Sequence, residues 1–100
     1  MRVIAVNIIF RLYEVFSLKE KRSIKRKVIE RIKNKFNISI AETGSMDSLT
    51  TLEISFSAVS NDYKHLDEIY QNVINFIESN FMLEIVDAEK EFCEKEIYFK

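Results

Sequence analysis

From Val3 to Tyr13 the chain alternates. Ile4, Val6, Ile8, Phe10 and Leu12 share one face; Val3, Ala5, Asn7, Ile9, Arg11 and Tyr13 share the other. A period of two over this length predicts a strand, with one face in a core and the second face partly apolar. The period then changes. Ser17 followed by Glu20 has the spacing of a helix capping box. Beyond it Leu18, Ile24, Val28, Ile29, Ile32 and Phe36 fall within an arc of roughly 140° at about 100° per residue, which predicts an amphipathic helix ending at Asn37. Lys19, Arg22, Arg26, Glu30 and Lys33 lie opposite that arc. Lys21 and Lys25 fall inside it, against the pattern. Either their stems snorkel past the edge of the core or the apolar stripe narrows near the helix start.

Alternation resumes at residues 38–42, a second strand. Residues 43–50 hold the one glycine of the chain among Ser, Met and Asp, and read as a hairpin connection. Leu52, Ile54, Phe56 and Ala58 give the core face of a third strand, with Glu53, Ser55, Ser57 and Val59 behind. Ser60, Asn61 and Asp62 are cap-type residues before a second helix that runs to about Asn80. Its stripe is Tyr63, Leu66, Ile69, Tyr70, Val73, Ile74, Phe76 and Ile77. Residues 82–92 give a fourth strand with less clean alternation. The order β-α-β-β-α-β, with right-handed crossovers, predicts an α+β fold: a ferredoxin-like sandwich. It has a four-stranded antiparallel sheet in the order 4-1-3-2 and both helices on one face. A single domain over 1–92 is expected, with 93–100 as an acidic and apolar C-terminal extension that either prolongs the fourth strand or hangs free.

Composition supports this outline. Of 100 residues 47% are apolar, one is Gly and none is Pro, so regular structure should dominate. No apolar run reaches the length of a membrane span. The apolar stretch Val3 to Phe10 alternates, lacks a small-residue cleavage site and runs into Arg11 and Glu14, so it reads as a strand and not as a signal peptide. One cysteine, Cys93, cannot form an intrachain disulfide and fits a reducing, cytoplasmic compartment.

Candidate chemistry is sparse. His65 is the one histidine, and with Cys93 it falls short of the four or so nitrogen and sulfur ligands of a zinc site. No Ser stands in a nucleophile context, and one Gly cannot build a phosphate loop. A non-enzymatic protein without metal or cofactor is expected. Asp87, Glu89 and Glu91 fall on one face of the fourth strand, either as a solvated edge, as a cation site or opposite a basic surface. The open faces of strands one and three carry Ala5, Asn7, Glu53, Ser55 and Ser57, which argues against base stacking there. Ser39, Ala41, Ser55 and Ser57 make a small-residue face on which a second sheet could pack as a homodimer.

Charge is the strongest asymmetry. Residues 17–35 hold nine of the fifteen Lys and Arg and two of the sixteen Asp and Glu, a net +7; the rest of the chain is net −8. Lys and Arg are good helix formers, so a merely solvated face is the plain reading. Two features point further. Few acidic residues sit at compensating i,i+4 positions. Several cations also lie near the helix N-terminus, where the dipole disfavours them. Docking on the phosphates of structured RNA through Lys19, Lys21, Arg22, Arg26 and Lys33 accounts for both. The alternatives are a homodimeric protein-interaction module that uses the basic helix or the open sheet face, and a small-molecule sensor.

Several segments together resemble the YlxP-like family. They are SLKEKRS at 17–23, ERIKNKFNISIAE at 30–42, AVSND at 58–62 and IVDAEKE at 85–91. The resemblance covers residues 1–92 in order. These are small bacterial proteins often encoded near translation initiation and ribosome-maturation factors. The resemblance implies a ferredoxin-like fold and a role at the ribosomal subunit or in translation, and brings no catalytic site. It marks Ser17, Lys19, Glu20, Lys21 and Arg22, with Asn37, Glu42, Asn61 and Asp62 as structural positions. This chain departs from the pattern in the hairpin, which lacks the His, Gln and Trp of its relatives. Lys25 stands where an apolar residue is expected.

Overall fold

The structure is a computed structural model and describes residues 1–96. Six elements follow the expected order: β1 (Arg2–Arg11), α1 (Leu18–Lys35), β2 (Ser39–Gly44), β3 (Thr51–Ser60), α2 (Tyr63–Asn80) and β4 (Glu84–Glu94). The strands form one antiparallel sheet in the order β2-β3-β1-β4, the arrangement expected for a ferredoxin-like sandwich. Pairing of β1 with β3 is unbroken from Arg2 opposite Ser60 to Arg11 opposite Thr51.

The alternation in β1 and β3 decides which face is covered. Ile4, Val6, Ile8 and Phe10 of β1 and Leu52, Ile54, Phe56 and Ala58 of β3 are buried. Against them pack Val28 and Ile32 of α1 and Leu66, Val73 and Ile77 of α2. Both helices therefore lie on one face of the sheet. The other face is open.

Local chemistry sets the helix ends. Ser17 is extended (φ −149°, ψ 156°) and its hydroxyl accepts the Glu20 amide at 3.1 Å. The Glu20 carboxylate reaches back to accept the Phe16 amide at 2.9 Å, so two donors at the helix start are satisfied reciprocally. Asp62 caps α2 by accepting the Lys64 amide at 3.0 Å.

Several boundaries differ from the sequence-based ones. α1 stops at Lys35 with Phe36 as its cap, one residue before Asn37. β4 runs from Glu84 to Glu94, beyond the expected limit at residue 92, because Cys93 and Glu94 pair with Val3 and Arg2. The pairing continues where the Lys95 amide donates to the Met1 carbonyl at 2.8 Å. Residues 93–95 thus prolong the sheet edge, one of the two courses expected for the extension; its last four residues, 97–100, lie outside the described residues.

Ser17→Ala removes the cap oxygen and should lower stability by about 1 kcal/mol in urea denaturation. Asp62→Ala should act similarly on α2. A loss below about 0.2 kcal/mol at both sites would contradict the capping geometry.

Candidate nucleic-acid interface

The cations of α1 divide by the direction in which the helix presents them. Lys21 sits between Val28 and Ile32 in angular position, at the centre of the apolar arc, and is only 2% exposed. Its ammonium donates to the Ser45 carbonyl and lies 3.7 Å from Glu42 Oε2. Lys25, one turn on, lies 3.6 Å from Glu42 Oε1. Glu42 stands on the helix-facing side of β2, two residues after Ile40. A carboxylate there loses water and requires cations, which α1 supplies twice.

Lys21 therefore does not belong to a phosphate-binding surface, contrary to its place in the expected set. Its length carries the ammonium across the core edge to a carboxylate, not out to solvent. The same tie fixes the hairpin. Ser45, and not the glycine, takes the left-handed conformation (φ 53°), and its carbonyl is the one Lys21 holds. Gly44 has no positive φ; a Cβ on it would meet Glu53 Oε2 at 1.5 Å, the mobile end of a side chain that can swing aside.

Arg31 is also engaged. Its guanidinium donates to the Asn80 side-chain oxygen at 3.0 Å and lies 4.8 Å from the centre of the Phe81 ring. It joins α1 to the end of α2.

Six cations remain and all are exposed; Lys27 and Lys35 lie off the stripe formed by the other four. Lys19, Arg22, Arg26 and Lys33 lie within one arc of roughly 60° on the solvent side of α1, all exposed. None of the four forms an ion pair among the described residues. Glu30 is the one carboxylate in the same stripe. Four of the five expected residues are thus brought together on one ridge, roughly 21 Å long from Lys19 to Lys33 at the rise of an α-helix.

Acidic groups collect elsewhere. Asp87, Glu89 and Glu91 pair with Ile9, Asn7 and Ala5 and so face the open side of the sheet, away from α1. Glu53 lies on the same side and accepts from Asn7 Nδ2 at 3.1 Å; Asn7 in turn accepts from Ser55, which contacts Thr43. A hollow of about 800 Å³ over Ala5, Asn7, Ser39, Ala41, Ser55 and Ser57 is edged by Glu89 and Glu91. His65 is exposed and its Nδ1 lies 3.2 Å from the Ser60 hydroxyl. Cys93 is exposed on β4. The role of Glu42 was visible only as a parity: it shares the core face with Ile40. Asp62 caps α2, and the Asn61 carbonyl accepts from Arg2, so both act structurally.

Comparisons with known proteins agree with this architecture. A family model described as "Protein of unknown function (DUF503)" matches residues 3–90. A Bacillus subtilis (strain 168) protein described as "Uncharacterized protein YlxP" is 37% identical over 68 residues, which span 68% of this chain and 74% of that protein. Among solved structures, "De novo designed protein Foldit4" matches with a TM-score of 0.53 at 11% identity, over 96% of this chain and 100% of that one. At this identity the likeness is one of fold alone. A Thermus thermophilus protein described as a putative PII-like signaling protein gives 0.48 at 17% identity, over 93% and 87% of the two chains.

Removing Lys21 should leave Glu42 short of one partner in a dry site. Lys21→Ala is expected to cost about 3 kcal/mol, the lower end for a broken buried pair, since Lys25 remains on the carboxylate. Lys21→Met keeps the stem and should cost less. Lys19→Ala, on the outer face, should change stability by no more than about 0.5 kcal/mol. Equal costs for Lys19→Ala and Lys21→Ala in urea denaturation would contradict the division of the cations.

Proposed function

The chain belongs to the YlxP-like (DUF503) family, and from that premise we propose that it is a non-enzymatic, cytoplasmic protein that docks on structured RNA. The RNA is ribosomal and is met as a ribosomal subunit during maturation or translation. Lys19, Arg22, Arg26 and Lys33 contact phosphates along the outer ridge of α1. One observation carries this reading: the inward cations Lys21 and Lys25 have a carboxylate, while no other cation of α1 has one among the described residues, the four of the ridge included. Part of the ridge also lies in the first turns of the helix, where the backbone dipole opposes it. An external polyanion offsets both costs. The acidic open face lies on the opposite side and turns that face away from the RNA by repulsion. Phosphate contacts of this kind supply position and affinity rather than sequence choice.

A second reading has its own support. The small side chains lining the open hollow allow close approach of a second sheet, as in a homodimeric interaction module. Light scattering decides it: a dimer that becomes a monomer on Ala41→Arg favours the second reading, and a monomeric wild type removes it.

Cosedimentation with ribosomal subunits across a salt series tests the RNA reading. With about four phosphate contacts, the log–log slope of affinity against salt should be near −3.6 by the duplex rule. The variant Lys19→Glu, Arg22→Glu, Arg26→Glu should lose cosedimentation while keeping its fold. A slope near zero, or no cosedimentation of wild type at low salt, would overturn the reading.

A further inference from the structure

The topology brings three connections to one end of the sandwich: residues 12–17 after β1, 45–50 between β2 and β3, and 81–83 before β4. The N-terminus of α1 lies at the same end, so the cationic ridge begins there. These connections carry exposed large apolar side chains: Tyr13 (67% exposed), Phe16 (78%), Met46 and Met82. A cavity of about 310 Å³ lies at this end, with Tyr13, Val15, Lys27 and Met82 among its walls. Phe16 stands three residues before Lys19, where the cationic ridge begins, and the cations that line the Tyr13 cavity are Arg11 and Lys27.

Phe16 is displayed for an identifiable reason. It precedes the N-cap, where an apolar residue ordinarily packs against the fourth helical residue. Here that residue is Lys21, which turns inward to Glu42. The ring is left in solvent while its own amide is held by Glu20 at 2.9 Å. Tyr13 is held at its far end: its hydroxyl donates to the Glu84 carboxylate, and that hydrogen bond keeps the phenol above its usual pKa. Between them Glu14 takes the left-handed conformation (φ 56°) and turns the chain. Both rings thus stand on a fixed backbone with their surfaces exposed. Such rings are stacking platforms for flat groups, at a small loss of side-chain freedom.

Resting on the RNA reading above, we propose that Phe16 and Tyr13 stack on unpaired bases of the RNA whose phosphates follow Lys19, Arg22, Arg26 and Lys33. The target class is then RNA with a loop, bulge or single-stranded end beside structured backbone, not continuous duplex. Geometry favours this occupant over an anionic lipid surface. A plane resting on Phe16, Tyr13 and Met82 meets only the first cations of α1, since the ridge runs roughly 21 Å away from the tip along the helix axis. A polymer meets both. The helix start is not itself the anion site, because Ser17 and Glu20 already occupy donors there.

Fluorescence anisotropy with two labelled RNAs of equal length, a hairpin with an unpaired loop and a blunt duplex, tests the proposal across a salt series, with the two RNAs compared at the same salt concentration. Wild type should bind the looped RNA about tenfold more tightly, the size expected for one stacked base. Phe16→Ala should remove that preference and leave duplex affinity and its salt slope unchanged; Phe16→Trp should restore it. Thermal melts should match wild type, because the ring is exposed. Equal loss on both RNAs, or no loss on either, would overturn the stacking role while leaving the phosphate ridge standing. If wild type binds neither RNA, the α1 reading itself fails, and the stacking role with it. Binding of wild type but not Phe16→Ala to phosphatidylserine vesicles, without loop preference on RNA, would also overturn it and make the tip a lipid contact.

Discussion

The tie between Lys21, Glu42 and the Ser45 carbonyl constrains the rest of the molecule. A carboxylate on the core face of an edge strand is costly unless paired. Lys21 reaches it from the centre of the buried arc of α1, and Lys25 reaches its second oxygen. Two cations on one carboxylate, with a backbone carbonyl taking a further donor, form a small network that fits one rotation of the helix about its axis. Turning α1 by the angle of one residue would withdraw both lysines. The same rotation decides which cations face outward. The outer ridge is therefore a consequence of the inner pair, and so is the exposure of Phe16, whose ordinary packing partner is the residue that turns inward.

With that rotation set, the molecule is divided by charge. The outer ridge of α1 presents Lys19, Arg22, Arg26 and Lys33, beside an α2 that carries exposed Asp67, Glu68 and Glu78, and the open sheet face presents Glu53, Asp87, Glu89 and Glu91. A net charge of −1 hides this arrangement completely. Opposite fields on opposite faces orient a charged partner before contact, which raises the rate of productive encounter more than the final affinity. Arg31 is instead spent on joining the two helices through Asn80 and Phe81.

Much of the fold was legible in the sequence, for reasons that vary by element. β1 and β3 alternate without interruption and pair without a break, so parity read their faces correctly. The capping box at Ser17 and Glu20 read the start of α1. β4 was harder because of its register shift: Phe10 faces Ile85 while Ile9 faces Asp87, and the extra residue, Val86, breaks the period of two. The hairpin was read correctly from its turn-forming residues, but which of them is left-handed was not: it is Ser45 and not the glycine. At the candidate site, helical period read the outward direction of Lys19, Arg22, Arg26 and Lys33. Lys21 turns inward, and its position inside the apolar arc was the warning. A lysine and a core-facing glutamate are each anomalies alone; only their proximity in space makes them a pair.

Lysine footprinting separates the inward lysine of α1 from those on its outer ridge. The free protein and its mixture with ribosomal subunits are acetylated briefly under native conditions, and each site is read by mass spectrometry. The account predicts rapid modification of Lys19 and Lys33 in the free protein, protection of both in the mixture, and slow modification of Lys21 in either case. Modification of Lys21 as fast as that of Lys19, or no protection of Lys19 and Lys33 where the protein cosediments, would contradict it.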